Sequence, residues 1–468
     1  MNRPTTASLM FAACLMPLPA ATLMAAAPDV LSMAVALSNE PPDQTLKRFD
    51  DPSVSDEGIV AVLTDLKDGK KERCIVLFRT LGGASSTLVC TGDASPVLSQ
   101  AIKGIEQVKI ASDSSFVSWV GKLSSGQSGV FTTAYDPATD TVGATKAHVV
   151  TGDPINSISA VVDNIIGGGV DEQGDVYFAS TLSLVSANPA RYNGVVARCP
   201  ASPGDCGASG NWVVIAQEGG SVPDNGTLKF CAFEAVAFSD AGVTFKASAQ
   251  TQAYCDSGAA WLPGVYRKID GDTLTTIGRR DLPTNPSDTP PGTSYSGFKG
   301  TPAMNVNGGT CFIASTKGVI EKYYTFCCDD ASCPSPNLPT AALGDMSVSQ
   351  QGDSISVFVD LDVSAGDYLV VQTAKGVYGV TDAFLAPSAA FTVLTRDDNM
   401  LYEADTTRTY DAMAFKPGVG ISPRAGGGGF ECFITSQGDA KGADGLVKPK
   451  VRKALYLSKD LDAFHYCP

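Results

Sequence analysis

A short motif recurs along the whole chain, and it limits what the chain can fold into. Each copy has a polar stretch of Asp, Asn or Ser, usually a Gly, and then an alternating apolar strand. The anchor positions of the seven copies are Gly58, Ser115, Gly174, Gly242, Gly308, Gly352 and Gly429. They return roughly every 60 residues, a period typical of folds that repeat one supersecondary unit many times.

The repeated unit contains enough strands for a small antiparallel sheet. A second strand follows the motif, often opened by Gly-Val as in GVVARC (194–199), and a further apolar segment such as WVVIAQEG (212–219) comes next. One such sheet cannot bury both of its faces, whereas blades arranged around an axis cover each other. The sequence therefore predicts an all-β chain, a seven-bladed β-propeller of four-stranded antiparallel blades, with a six- or eight-bladed propeller as the alternative. A β-helix would have much shorter rungs.

The N-terminal segment has the layout of a secretory signal. It has one early Arg, an apolar stretch and small residues up to position 27. We therefore expect a signal peptide at 1–27, a single propeller domain of about seven repeats at 28–468, and a secreted or periplasmic protein. Anchoring as a lipoprotein through Cys14 is the alternative. No later run approaches the roughly 20 apolar residues of a membrane span. We expect an N-terminal strand around residues 59–63 to help close the ring.

The cysteines predict disulfides. Twelve remain besides Cys14, and an even number after an export signal favours disulfides in an oxidising compartment. We expect Cys74 and Cys90 to face each other across a hairpin, Cys199–Cys206 to close a short loop, Cys231–Cys255 to link neighbouring strands and Cys432–Cys467 to fasten the last blade. The expected set is Cys74, Cys90, Cys199, Cys206, Cys231, Cys255, Cys311, Cys327, Cys328, Cys333, Cys432 and Cys467.

Composition argues against several chemistries. The formal charge of −15 repels phosphate backbones, so we expect no nucleic-acid partner. Only two histidines are present and no nucleophile motif occurs, so we assign no catalytic residue. The glycine runs at 167–169 and 426–429 precede strands rather than helices, which favours turns or close backbone approach over nucleotide binding.

Three aspartates have a spacing that suits a cation. Asp360, Asp362 and Asp367 could supply oxygen ligands to Ca²⁺ in a loop, although the Gly and terminal Glu of an EF-hand are missing. The alternative is that these side chains shape a turn on an acidic surface. We predict no other cofactor.

Two segments resemble a known family. VIAQEGGSVPDNGTLKFCAFEAVAFSDAGVTFKAS (214–248) and TTIGRRDLPTNPSDTPPGTSYSGFKGTPAMNVNGGTCFIAS (275–315) are similar to a bacterial secreted tandem-repeat family with degenerate N-x-x-G-x-x-A-F units. The resemblance covers roughly residues 210–320. It implies export and a propeller-like fold, and it implies no activity, because the family is uncharacterised.

These observations lead to two functional hypotheses. The first is an extracellular binding or surface-interaction module, whose partner is a polysaccharide or a protein that meets loops on one face. The alternative is a hydrolase or lyase that acts on an extracellular polysaccharide through carboxylates in the central channel. The enzyme hypothesis predicts that two or more carboxylates converge in the channel, and the binding hypothesis predicts that they do not.

Overall fold

The fold is seen in a computed structural model, which describes most of the chain. The described residues are 32–37, 46–66, 72–78, 85–97, 100–184, 193–201, 206–251, 261–284, 292–318, 322–329, 340–344, 358–365, 368–373, 376–380, 391–396, 419–421, 433–439 and 453–458. Strands dominate them. One helical turn, α1 (Cys206–Ser209), and one 3₁₀ turn (Asn156–Ile158) lie between strands.

Thirty strands make up the described fold. The first fifteen are β1 (Ser32–Leu37), β2 (Leu46–Val54), β3 (Val60–Leu66), β4 (Arg73–Phe78), β5 (Ser85–Cys90), β6 (Ile102–Ile110), β7 (Phe116–Leu123), β8 (Ser128–Asp136), β9 (Thr141–Val150), β10 (Pro154–Ile155), β11 (Ala160–Val170), β12 (Val176–Leu184), β13 (Gly194–Cys199), β14 (Val213–Gln217) and β15 (Ser221–Val222). The others are β16 (Asn225–Ser239), β17 (Gly242–Gln250), β18 (Leu262–Ile269), β19 (Thr275–Arg279), β20 (Ser294–Met304), β21 (Thr310–Lys317), β22 (Lys322–Cys328), β23 (Thr340–Gly344), β24 (Phe358–Val363), β25 (Leu369–Thr373), β26 (Gly376–Val380), β27 (Phe391–Arg396), β28 (Val419–Ile421), β29 (Phe433–Asp439) and β30 (Lys453–Ser458).

Consecutive strands form six antiparallel blades. Blade 1 is β2–β5, blade 2 is β6–β9, blade 3 is β10–β14, blade 4 is β15–β19, blade 5 is β20–β23 and blade 6 is β24–β27. In each blade every strand pairs with the next one along the chain. Blades 3 and 4 have five strands because a two-residue strand precedes their long first strand.

A further sheet joins the two ends of the chain. Its order is β1-β30-β29-β28, and Ser32 on β1 lies opposite Ser458 on β30. Strand β28 packs against β24 of blade 6 and against β2 of blade 1. This closing sheet therefore completes the ring, and it gives strand partners to both terminal strands, whose edges would otherwise be unpaired.

This arrangement corrects the predicted architecture. The prediction of seven four-stranded blades, one from each repeat, is wrong in count and construction. The described chain forms six blades of consecutive strands, two of them five-stranded, and the remaining sheet is assembled from both ends. Closure by a strand around residues 59–63 is also wrong, because residues 60–63 belong to β3, the second strand of blade 1.

Blade 6 has a turn of the motif type after the predicted sixth anchor. In blade 6 the turn between β24 and β25 starts at Ser364, whose N–H donates to the carbonyl of Tyr368 at 3.0 Å. The equivalent turn of blade 3 has the same bond from Asp171 to Asp175, also at 3.0 Å. The motif is degenerate enough to fit two polar segments in this region. The predicted anchor Gly352 lies outside the described residues.

Apolar side chains fill the spaces between blades. Trp119 and Phe131 of blade 2 stack with ring centroids 4.5 Å apart and pack in one cluster with Leu63 and Ile75 of blade 1. Each of these four side chains is fully buried. The alternating apolar residues of one blade therefore cover the face of the next, as the repeat predicts.

Three disulfides form within the described blades. The predicted Cys74–Cys90 and Cys199–Cys206 bonds are confirmed, with Cα atoms 4.1 Å and 5.7 Å apart. A third bond, Cys311–Cys327, was not predicted as a pair; its Cα atoms are 4.2 Å apart.

Two more cysteines are bonded. Cys231 and Cys328 each form a disulfide. The predicted partner Cys255, the predicted pair Cys432–Cys467, and Cys333 lie outside the described residues. In the described part of the chain, no helix is long and apolar enough to cross a membrane.

Removing one cross-strand disulfide should destabilise the protein measurably. Cys74 and Cys90 are paired across neighbouring strands and separated by 16 residues. We expect the double variant Cys74→Ala/Cys90→Ala to lose about 3 kcal/mol of free energy of unfolding, because the bond limits the unfolded chain. Urea unfolding followed by tryptophan fluorescence measures the loss.

The matched variant is Cys311→Ala/Cys327→Ala, whose disulfide has the same sequence separation and also joins two residues paired across neighbouring strands. It should lose a similar amount. Unfolding curves of both variants that superimpose on the wild-type curve would contradict a stabilising role for these bonds.

Candidate functional site

A cavity of about 270 Å³ lies among the first long strands of the six blades. We call these strands, β2, β6, β11, β16, β20 and β24, the inner strands. The ionisable side chains on its wall come from four blades: Lys109, Asp171, Glu172, Asp240, Asp360 and Asp362. The repeat produces this convergence, because it places the end of every inner strand at the same height around the axis.

Glycines let the inner strands come close together. A Cβ atom on Gly169 of β11 would lie 2.2 Å from Cζ of Phe238, and one on Gly167 would lie 2.9 Å from the amide of Gln107. The run 167–169 therefore permits close approach by side chains of blades 2 and 4, as predicted, although within a strand rather than in a turn. The run at 426–429 lies outside the described residues.

Lys109 reaches across the cavity wall from blade 2 to blade 4. Its Nζ donates to the carbonyl oxygen of Phe238 at 2.7 Å and lies 4.5 Å from the centroid of the same ring. Burial lowers the pKa of Lys109, while the nearby carboxylates, Asp362 first among them, favour its charged form. The ammonium therefore sits where several carboxylates surround it.

Asp171 is the most buried carboxyl group on the cavity wall. Its side chain lies at the end of β11, and the residue is only 4% exposed. Oδ1 accepts a hydrogen bond from the N–H of Asp175 at 2.8 Å, whereas Oδ2 is buried and has no hydrogen-bond partner among the described residues. Burial raises the pKa of Asp171 to about 7, and the charges of Asp175 and Asp240 act in the same direction.

Glu172 and Asp240 connect neighbouring blades. Oε1 of Glu172 accepts a hydrogen bond from the N–H of Ser112 in blade 2 at 2.8 Å. The N–H of Glu172 in turn donates to Oδ1 of Asp240 in blade 4 at 3.1 Å. These bonds fix the positions of both carboxylates relative to the cavity.

The predicted cation ligands are only partly described. Asp360 and Asp362 lie on β24 and line the cavity, and Oδ1 of Asp362 accepts from the N–H of Val363 at 2.9 Å. Asp367 lies outside the described residues. Within the described ranges, no three His, Cys, Asp or Glu side chains are grouped to hold a metal ion. The Ca²⁺ alternative therefore gains no support there.

Other ionisable groups lie off the cavity wall. Arg198 pairs with Asp175 and with Asp270 across blades 3 and 4. The buried Arg279 pairs with Asp224 at 2.7 Å. Arg198 and Asp270 are partly exposed and Arg279 is buried, and each of these groups already has an oppositely charged partner.

His148 does not contribute to the cavity either. It lies on β9, the last strand of blade 2, where Nε2 is 2.8 Å from Oγ1 of Thr132. Burial, assisted by Lys146, lowers the pKa of His148 to about 4. The other histidine, His465, lies outside the described residues.

Sequence reasoning missed Lys109 and Asp240 as site residues. It also assigned no site role to Asp171 and Glu172, which directly follow β11. The signal was present in the repeat: the cavity residues sit at the end of an inner strand or directly after it, next to the turn of each motif. Only the closed ring brings these equivalent positions of different repeats together.

Comparison with known proteins gives a family and distant structural likenesses. A model described as "Family of unknown function (DUF7453)" matches residues 17–322. No curated protein sequence matches the chain significantly.

Solved structures of other proteins align over much of the chain at low identity. An α-L-arabinanase of Penicillium chrysogenum is 9% identical, with 93% of this chain and 99% of that chain covered and a TM-score of 0.36. The β-propeller domain of a trilobed protease of Pyrococcus furiosus is 12% identical, with 75% and 98% covered and a TM-score of 0.36. An acylaminoacyl peptidase of Pyrococcus horikoshii is 8% identical, with 89% and 53% covered and a TM-score of 0.41. None of these likenesses indicates a function for this chain.

The pKa of Asp171 should make stability depend on pH. Its pKa is raised from 3.8 to about 7 in the folded protein, so the folded state holds this proton more tightly than the unfolded state. The stabilisation is complete below about pH 4 and is lost as pH rises through 7. We expect Asp171→Asn to lose less free energy of unfolding than wild type between pH 5 and pH 8, measured by urea unfolding.

A matched control is Glu57→Gln, an exposed carboxylate in the corresponding turn of blade 1. It should lose as much free energy of unfolding between pH 5 and pH 8 as wild type does. If Asp171→Asn lost as much free energy of unfolding between pH 5 and pH 8 as wild type, Asp171 would not be the buried acid that makes stability depend on pH.

Proposed function

We propose that this chain, which belongs to the family of unknown function DUF7453, is an exported binding protein whose ligand enters the cavity among the inner strands. The observation that carries the proposal is the convergence of charged side chains from four blades on one cavity. The enzyme hypothesis predicts this convergence and the loop-binding hypothesis does not, so we place recognition in the cavity and keep the enzyme as the second candidate below. Placing charges in a partly buried space costs free energy, and such costs are concentrated at functional sites.

The wall of the cavity has the mixed character of a ligand site. Apolar side chains such as Val236, Phe238 and Met304 alternate there with the ionisable groups. Ligand sites commonly combine an apolar lining with a few polar groups that fix orientation. The shifted pKa values of Lys109 and Asp171 support the same assignment.

The size of the cavity limits the ligand. A volume of about 270 Å³ is slightly below that of drug-sized ligand sites, which span roughly 300–1,000 Å³. A small molecule, or one terminal unit of a longer polysaccharide or peptide, fits such a space. The proposal therefore places recognition in the cavity rather than on an extended loop surface.

Export is supported by two features of different kinds. The segment 1–27 has the layout of a secretory signal. Disulfides such as Cys74–Cys90 persist in oxidising compartments such as the periplasm and the extracellular space. We propose that the protein acts there, with acylation of Cys14 as the alternative way of retaining it.

One observation favours a second function, the hydrolysis of an extracellular polysaccharide. Asp171 has a pKa of about 7 and lines the same cavity as Glu172 and Asp240. A carboxylic acid that keeps its proton near neutral pH, beside a second carboxylate, is the pair that glycoside cleavage requires. In this alternative Asp171 would be the general acid, and one of the other carboxylates would be the base or nucleophile.

Closing the cavity should abolish ligand binding. Thr301 of β20 is exposed and lines the cavity, so an indole in its place would fill the space. Wild type, Thr301→Trp and Thr273→Trp are compared in thermal-shift titrations with amines, amino acids, monosaccharides and oligosaccharides. We expect at least one class to stabilise wild type, with binding weakened about tenfold or more in Thr301→Trp.

Thr273→Trp is the matched control, because Thr273 is also an exposed threonine, lies in blade 4 and does not line the cavity. It should bind as wild type does. Equal binding by Thr301→Trp, or no stabilisation by any class, would contradict a ligand site in the cavity. Release of new reducing ends from the oligosaccharides, lost in Asp171→Asn, would identify the hydrolase instead.

A further inference from the structure

We infer that the ligand of the cavity carries an organic cation, an amine or guanidinium group, that the carboxylates on the cavity wall bind. This inference rests on the proposed binding function and names the chemical class of its ligand. It is carried by the charge of the wall, by an unpartnered carboxylate oxygen, and by the way one ammonium group of the protein itself is held there.

The charge of the cavity wall is strongly one-sided. Five carboxyl groups and one ammonium line it, and the described part of the chain places no Arg or His there. Even with one carboxyl group protonated, the net charge of the wall is negative. Electrostatic attraction is stronger in an enclosed space than in bulk water, so this wall concentrates cations and disfavours anions.

One carboxylate oxygen on the wall has no donor among the residues that the structure describes. Oδ2 of Asp171 is buried without a hydrogen-bond partner among the described residues, although Oδ1 of the same group is bonded to the N–H of Asp175. Buried polar atoms are nearly always paired, and exceptions call for an explanation. An N–H donor on a ligand would satisfy this oxygen.

The placement of the carboxylates fits an organic cation better than a metal ion. They stand directly after β11, directly after β16, and on β24, in three different blades. A metal ion needs several oxygens within about 2.6 Å of one point, and no such group of side chains occurs among the described residues. An ammonium or guanidinium group has several N–H donors and can bridge carboxylates that stand further apart.

Lys109 shows that the cavity accommodates an ammonium group. The carboxylates of Asp362, Asp171, Glu172 and Asp240 all favour its charged form. Its Nζ also lies 4.5 Å from the centroid of the Phe238 ring, a contact that attracts cations. A ligand cation would meet the same two kinds of group, carboxylate oxygen and aromatic face.

Binding of a cation should depend on pH. The groups that act on Asp171 are Asp175 and Asp240, which raise its pKa, and Lys109, whose ammonium it attracts. A ligand cation favours the ionised form of Asp171, so binding expels its proton, and affinity should rise as pH passes through 7. Loss of charge from Lys109 at higher pH would act in the same direction.

The test is isothermal titration calorimetry of the full chain with three probes. Agmatine carries an amine and a guanidinium group, xylose is neutral, and glutarate is an anion. We expect agmatine to bind, about tenfold more tightly at pH 8 than at pH 6, and xylose and glutarate not to bind. Asp171→Asn should remove most of the pH dependence.

Two variants test whether the wall carboxylates are responsible. Asp362→Asn and Asp360→Asn each remove one charge from the wall with little change in shape, and each should weaken agmatine binding about tenfold. Glu57→Gln removes a charge of the same sign outside the cavity and should bind as wild type does.

The outcomes separate this inference from the function on which it rests. Binding of xylose or glutarate, but not agmatine, that Thr301→Trp abolishes would overturn the cation inference and leave the cavity as the ligand site. Agmatine binding that neither Thr301→Trp nor the Asn variants weaken would place the cation on the outer surface and overturn the inference. No binding by any probe would overturn it as well.

Discussion

The crowding of inner strands at the axis is the constraint on which the centre of this molecule depends. Blades arranged around an axis have the least room at their first strands, so side chains of neighbouring blades meet there. Strand β11 meets this constraint with three successive glycines, and the side chains of Gln107 and Phe238 press against its backbone from either side. The amide of Gln107 also accepts a hydrogen bond from the N–H of Gly168 at 3.1 Å. A residue with a side chain at these positions would force the blades apart.

Close approach of the inner strands also fixes the turns that follow them. The N–H of Asp56 in blade 1 donates to the carbonyl of Ser112 in blade 2 at 2.9 Å, and Ser112 in turn donates to Glu172 of blade 3. Further round, Oγ of Ser239 donates to the carbonyl of Asn305 at 2.7 Å, and Nδ2 of Asn305 donates to the carbonyl of Ser364 at 2.9 Å. Hydrogen bonds thus join the described blades turn by turn, and the cavity carboxylates Asp171, Glu172 and Asp240 belong to the same turns.

The sequence predicted the parts of the fold that lie within one repeat. Gly58, Gly174 and Gly308 each have the positive φ of a turn, 75°, 88° and 90°, as their place in the motif predicts. The Cys74–Cys90 pair was predictable because a hairpin brings its two cysteines opposite each other. In blade 2, by contrast, Ser114 rather than the anchor Ser115 adopts the left-handed conformation, at φ 61°. The local sequence pattern therefore predicts the position of a turn better than it predicts which residue adopts the left-handed conformation.

The ring closure and the candidate site depend on contacts between distant parts of the chain, which the repeat does not predict. The closing sheet pairs Ser32–Leu37 with Lys453–Ser458, and nothing in either segment marks the other as its partner. The candidate site likewise combines Lys109 of blade 2 with Asp240 of blade 4 and Asp362 of blade 6. Lys109 and Asp240 look like ordinary polar residues beside a turn in their own repeats, and the sequence grouped Asp362 only with its near neighbours Asp360 and Asp367. Their common role follows only from the closed ring.

A double-mutant cycle between Gly169 and Phe238 tests the close packing of inner strands most directly. A Cβ atom on Gly169 would lie 2.2 Å from the Phe238 ring and 2.7 Å from Oγ of Ser118. Gly169→Ala should therefore lower the free energy of unfolding in urea by about 1–3 kcal/mol. In the Phe238→Ala background the same change should cost clearly less, with a coupling of at least about 0.5 kcal/mol. Equal costs in both backgrounds would contradict the packing on which this account of the cavity depends.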